Sequence, residues 1–230
     1  MQVLVNKMEE NNQIPGIVIN NIFKEAEKIA KIHQTLTSPR GNYFRLRLLT
    51  KLRKKMSMES IDKIREKVSL KECERHLDML LEFGLIEKIE IKNKGYCVRA
   101  KSGEEALNVV KALERSIGES NAKRIYRHSL GINSIRLFLK VYGQNKKPSL
   151  FGGFMKKNGK LEVKFKPHEI GRIALFLPRT MEGMSAIDKL NLAGLLVYED
   201  NGHVHMPSIK ARSFYVYLKG LYEITSKAKL

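Results

Sequence analysis

The chain has no tryptophan, two cysteines and six prolines among 230 residues. Two thiols, Cys73 and Cys97, are too few for a disulfide framework. Each is expected to pack as a small apolar side chain. Glycine and proline are too sparse for a low-complexity chain, and no short period repeats. No apolar run approaches the roughly 20 residues that cross a bilayer, so no membrane association is expected. Stretches such as "IALFLP" have the length of core segments. The opening residues, "MQVLVNKMEENNQIPG", lack a basic start followed by an apolar core of signal-peptide length, which points to a cytoplasmic, nucleoid-associated protein. A phosphate-binding glycine-rich loop, a nucleophile elbow and a dinucleotide fingerprint are all missing. His203 and His205 alternate along a strand and share a face, but even with His168 and Cys97 they match no metal-ligand spacing. The expectation is a protein without metal, cofactor or catalytic residues.

Positive charge is abundant. Lys and Arg number 43 against 24 Asp and Glu, a net charge of +19. That balance calls for a polyanionic partner, because clustered cations release counterions from a phosphate backbone. At 43% hydrophobic and 29% charged, the chain also has enough apolar residues for a sizeable core.

Hydrophobic spacing predicts a first helix over 16–36, with Ile22, Ala26, Ile29 and Ile32 on one face. "TSPRGN" breaks it, and "YFRLRLLTKLRKK" follows with Phe44, Leu48, Leu49 and Leu52 aligned. Ser57 is placed to cap a third helix, and Ser69 with Glu72 has capping-box spacing for a fourth. Gly84 ends that fourth helix. Strands are expected at Leu85–Ile91 and Tyr96–Arg99, joined by the turn "KNKG", and Ser102 with Glu105 is placed to cap a further helix. Helix, helix, helix, strand, strand, helix in this order resembles the winged helix-turn-helix family of DNA-binding proteins. The carriers are Glu59–Val68, Leu70–Phe83, the exit "FGLIEKIE" and the basic tip Lys92-Asn93-Lys94, and the resemblance covers about residues 43–116.

The second half reads in the same way. Helices are expected at "SIRLFLKVYG", "EIGRIALFLPRT" and "MEGMSAIDKLNLAGLL", then a hairpin at "VYEDNGHVHM" around Asn201-Gly202. An offset of 110 places Leu80 on Leu190, Gly84 on Gly194 and Leu85 on Leu195. An inserted basic hairpin is expected over 146–166 around Asn158-Gly159, and a last helix carries Phe214, Tyr217, Leu218 and Leu221 on one face. The expected fold is therefore α+β and mainly helical: two winged helix-turn-helix domains in tandem, 1–118 and 119–230, divided near "GESNAK".

Residues 1–118 hold 23 basic and 16 acidic side chains, and residues 119–230 hold 20 and 8, so the second half is the more basic. Phosphate contacts are expected from Arg45, Arg47, Lys51, Lys54 and Lys55, from Lys156, Lys157 and Lys160 in the inserted hairpin, and from the wing lysines Lys92 and Lys94. Base contacts are expected from two helices. One begins near Ser69 and carries Lys71 and Arg75; the other begins near Arg179 and carries Lys189. The first of these also carries Glu72, Glu74, Asp78 and Glu82. Either only its N-terminal turn approaches DNA, or the helix 69–83 meets a protein partner. A homodimer would favour an inverted repeat.

"LAGL", Leu192–Leu195, also resembles the signature helix of LAGLIDADG homing endonucleases, whose helix-end acid holds a catalytic divalent metal. Here Glu199 and Asp200 arrive about two residues late and would fall in a strand or turn. The preferred reading is a non-enzymatic double-stranded DNA-binding protein acting as a transcription regulator. Replication initiation or DNA segregation is the second reading, and a nuclease the third.

Overall fold

Ile22, Ala26, Ile29 and Ile32, three and four residues apart, are all buried, on the helices α1 (Pro15–Lys24) and α2 (Ala26–Leu36). The computed structural model describes residues 15–37, 44–64, 68–128, 130–144, 154–157, 160–165, 181–198 and 204–227. The helix expected at 169–180 lies outside these residues, as do Arg179, Glu199, Asp200 and the turns at 158–159 and 201–202.

Helix α3 (Phe44–Lys51) leads into a two-residue strand, β1 (Met56–Ser57), and then α4 (Met58–Ile64) and α5 (Leu70–Glu82). Ser57 accepts from the Ser60 amide at 3.3 Å and Ser69 from the Glu72 amide at 3.2 Å, so both expected caps form. Strands β2 (Ile86–Ile91) and β3 (Lys94–Arg99) make an antiparallel hairpin, and β1 joins the free side of β3 through Met56–Cys97 and Ser57–Tyr96 pairing. The sheet order is β1-β3-β2.

Helix α6 (Lys101–Ile117) starts directly after β3. The expected cap by Ser102 and Glu105 does not form. The residue before the helix is Ala100, whose amide is already held by the Leu85 carbonyl at 3.0 Å, and the Ser102 hydroxyl donates instead to the Gly84 carbonyl. The stretch from Gly118 that reads as a boundary opens another helix, α7 (Glu119–Arg127). Its buried residues Ala122, Ile125 and Tyr126 have helical spacing that the polar "GESNAK" obscures.

Helix α8 (Ile132–Gln144) begins the second half, followed by β4 (Phe154–Lys157) and β5 (Lys160–Phe165), of which only the backbone is described. Helix α9 (Met181–Leu192), strands β6 (Val197–Tyr198) and β7 (Val204–Met206), and helix α10 (Ser208–Lys227) complete the chain. The second sheet has the order β4-β5-β7-β6. Setting aside β4, its strands repeat the order of the first sheet: the strand before the helix pairs with the far arm of the hairpin after it.

The two helix exits share the same pair of hydrogen bonds. Gly84 and Gly194 have φ of 59° and 71°, the left-handed region in which glycine pays no Cβ penalty. The Gly84 amide donates to Leu81 and the Leu85 amide to Leu80, each at 2.8 Å. The Gly194 amide donates to Asn191 at 2.8 Å and the Leu195 amide to Leu190 at 2.9 Å. This is the glycine helix stop that satisfies the last carbonyls, and Leu80, Leu190, Leu85 and Leu195 are all buried beneath it.

A continuous apolar core joins both halves. Helix α10 lies along α6, and α1 and α2 pack chiefly on α8 and α10. Phe214, Tyr217, Leu218 and Leu221 of α10 are inside. The architecture is α+β and mainly helical. No helix among the described residues is long and apolar enough to cross a membrane.

Candidate nucleic-acid interface

The β2–β3 hairpin turns on Lys92 and Asn93, with φ of 50° and 59°. Ile91 pairs with Lys94 across them, which makes a two-residue turn of the type that needs positive φ at both central positions. Asn tolerates that conformation and Lys does not do so readily. Lys92 and Lys94 are exposed, so the tip carries two cations and no acid. Lys71 and Arg75 are exposed on the first turns of α5.

The cations of α3 do not share a surface. Arg45 is 2% exposed, which corrects its expected role as a phosphate contact. Its Nη2 donates to the Gln34 carbonyl at 3.0 Å and its Nη1 meets the Met79 sulfur, so the guanidinium ties α3 to α2 and α5. Burial, and then the nearby Arg75, pull its pKa down. Spacing carried the signal: Arg45 stands three and four residues before Leu48 and Leu49, on the buried stripe itself. Arg47 and Lys51 instead line a groove of about 330 Å³ between α3, α6 and α7, with Lys111, Lys123 and Glu114. Lys54 and Lys55 are exposed in the turn before β1.

The concavity between α5 and the hairpin has a volume of about 600 Å³ and an acidic wall. Glu74, Asp78 and Glu90 line it, with Lys88 the one cation, 3.7 Å from Asp78. Met58, Leu77, Ile89 and Tyr96 add an apolar surface. A phosphate backbone is repelled from such a wall. Around this concavity, exposed cations stand on the first turns of α5, at Lys88 and at the hairpin tip.

No family model, curated protein or solved structure matches the chain. The physical chemistry of the surface thus carries the functional reading. Among the described residues no group of three or more His, Cys, Asp or Glu side chains is placed to hold a metal ion. Cys73 and Cys97 are buried and not joined in a disulfide, and burial raises the Cys97 pKa.

In the second half, Lys189 is exposed on α9, and Lys156, Lys157 and Lys160 sit at the β4–β5 turn, where the backbone alone is described. Sequence reasoning missed a second basic cluster. Arg124 and Arg127 are exposed on α7, and Lys210 is half-buried at the start of α10. Arg124 and Arg127 stand three residues apart on α7, but Lys210 and α9 are far from them in sequence, so no linear run marks the cluster. The Arg124 Nε donates to the Leu192 carbonyl at the end of α9.

Proposed function

We propose that the chain binds double-stranded DNA through two winged-helix modules in tandem and acts as a transcription regulator. The observation that carries this reading is the repeat itself. Each half offers a helix stopped by a left-handed glycine, then a short hairpin whose far arm pairs with the strand before that helix. The chain that repeats this unit has a net charge of +19. In such a module the helix enters the major groove and the hairpin tip meets the backbone. Lys71 and Arg75, with Lys92 and Lys94, take those positions in the first half, and Lys189 lies on the corresponding helix of the second.

The test is binding to a duplex of about 30 base pairs over a range of salt concentrations. Each phosphate contact contributes about 0.9 to the slope of log affinity against log salt. Replacing Lys92 and Lys94 by Gln is expected to lower the slope by about 2. Arg45→Met is expected to leave the slope unchanged and to reduce stability by about 1–3 kcal/mol, because the Gln34 carbonyl loses its buried donor. A salt-independent wild-type affinity would sink the phosphate-contact model. Magnesium-dependent cleavage abolished by Glu199→Gln or Asp200→Asn would replace it with the nuclease reading.

The acidic wall of Glu74, Asp78 and Glu90 favours a second reading for the first half. In it, α5 and the hairpin hold a basic protein segment, and the second half alone grips DNA. Lys71→Gln with Arg75→Gln separates the two: the double variant weakens duplex binding in the first reading and leaves it intact in the second.

A further inference from the structure

Two cations converge on the end of α9. A Cβ built on Gly194 would lie 3.5 Å from the Lys210 Nζ and 3.7 Å from the Arg124 Nη1, so the two charged groups are close neighbours across the glycine. Arg127 follows Arg124 on α7 at i+3 spacing. His128, next to Arg127, is held below its usual pKa by burial and then by Arg124 and Arg127. Among the described residues, no carboxylate pairs with Arg124, Arg127 or Lys210.

Helix termination does not require this charge. Gly84 ends α5 with the same pair of hydrogen bonds, and nothing lies within 4 Å of its Cβ position. The first half therefore shows the same stop working with no cation on it. A helix C-terminus carries about half a negative charge, and that of α9 is already met by the Arg124 Nε on the Leu192 carbonyl. Lys210 and Arg127 add positive charge that the helix end does not neutralise. Cations gathered in one place without a carboxylate partner repel one another, and a bound anion offsets that repulsion.

We propose that Arg124 and Lys210, with Arg127 beside them, bind a phosphate group at the end of α9. A guanidinium and an ammonium that both lie within 4 Å of one point suit a tetrahedral oxyanion, through charge-assisted hydrogen bonds. The phosphate is a phosphodiester of the DNA backbone or a free phosphate group, and the former source rests on the DNA-binding reading above.

Lys210→Gln and Arg127→Gln both leave the Arg124–Leu192 bond in place, so each tests the site without removing the cap. The first arm measures duplex binding against salt. Lys210→Gln is expected to lower the slope by about 1 and to weaken binding several-fold at low salt, with an unchanged melting temperature. The second arm titrates inorganic phosphate against chloride at matched ionic strength, followed by backbone amide shifts of Gly194 and Leu195. A saturable shift in the wild type that Lys210→Gln abolishes assigns the site to free phosphate. If the wild type ignores DNA but keeps that shift, the DNA-binding reading fails and this site stands. If the variant changes neither the slope of a DNA-binding wild type nor any phosphate response, the cations belong to the helix end alone and the proposal is overturned.

Discussion

His33 lies in α2 with no exposed surface, and its Nδ1 is 2.9 Å from the Tyr217 hydroxyl of α10. The Tyr217 and Phe214 rings stand edge-on to it. Burial alone holds its pKa down at about 4, from an ordinary 6.5. The folded chain thus keeps His33 neutral while the unfolded chain protonates it near 6.5. The associated stability is fully present above pH 6.5 and is lost progressively as the pH falls to about 4, where the loss reaches roughly 3 kcal/mol. Replacing both partners, His33→Phe with Tyr217→Phe, removes the proton uptake and leaves neither member of the pair with an orphaned polar atom. Chemical denaturation at pH 7 and pH 4.5 is expected to show a smaller acid loss in the double variant than in the wild type. Equal losses would place the acid sensitivity elsewhere. Neither His33 nor Arg45 announces itself by composition. Position on an apolar stripe reveals each one, and that signal is weak when the residue type ordinarily faces water.

The β2–β3 hairpin shows what an element's sequence can and cannot specify. "KNKG" marks a turn without saying which two residues occupy it, and Gly95 is the natural candidate for a positive φ. Pairing of Ile91 with Lys94 instead puts Lys92 and Asn93 in the left-handed region and leaves Gly95 in the strand opposite Glu90. Left-handed backbone costs an ordinary residue roughly 1–2 kcal/mol. Lys92→Asn is expected to recover about 0.5–1 kcal/mol of that. In the proposed interface it also removes a phosphate contact. The variant should melt higher and bind duplex with a slope lower by about 1. A variant that is more stable with an unchanged slope would take the tip out of the interface. The glycine stops were more legible. A single offset aligned Gly84 with Gly194 and Leu80 with Leu190, because a Gly after the last apolar position of a helix has one strong local meaning. The spacing of Ser102 and Glu105 predicts a cap, but it does not reveal that the Ala100 amide is already bound across the fold.

Across the whole molecule, the two glycine stops are readable in the sequence and the way the two halves join is not. Helices α6 and α10 each show an apolar stripe, and a stripe does not name its partner. Their contact is close: a Cβ on Gly220 would meet Val109 Cγ2 at 2.7 Å and Cγ1 at 3.0 Å. The N-terminal helices also bridge the halves, since α1 and α2 pack mainly on α8 and α10 while α3, next in the chain, packs on α5 and α6. The core is continuous through these contacts, so the halves are expected to unfold together. Gly220→Val wedges α10 from α6 and should cost about 1–3 kcal/mol, lowering the melting temperature by roughly 2–10 °C. Hydrogen exchange followed by mass spectrometry tests the coupling, because peptides from the β2–β3 hairpin report on one half and peptides from α8 on the other. In a coupled molecule the slowest-exchanging amides of both halves lose protection by the same factor in Gly220→Val. Loss confined to the second half would mean that the halves fold independently, and under the proposed function each half would then be free to meet DNA on its own.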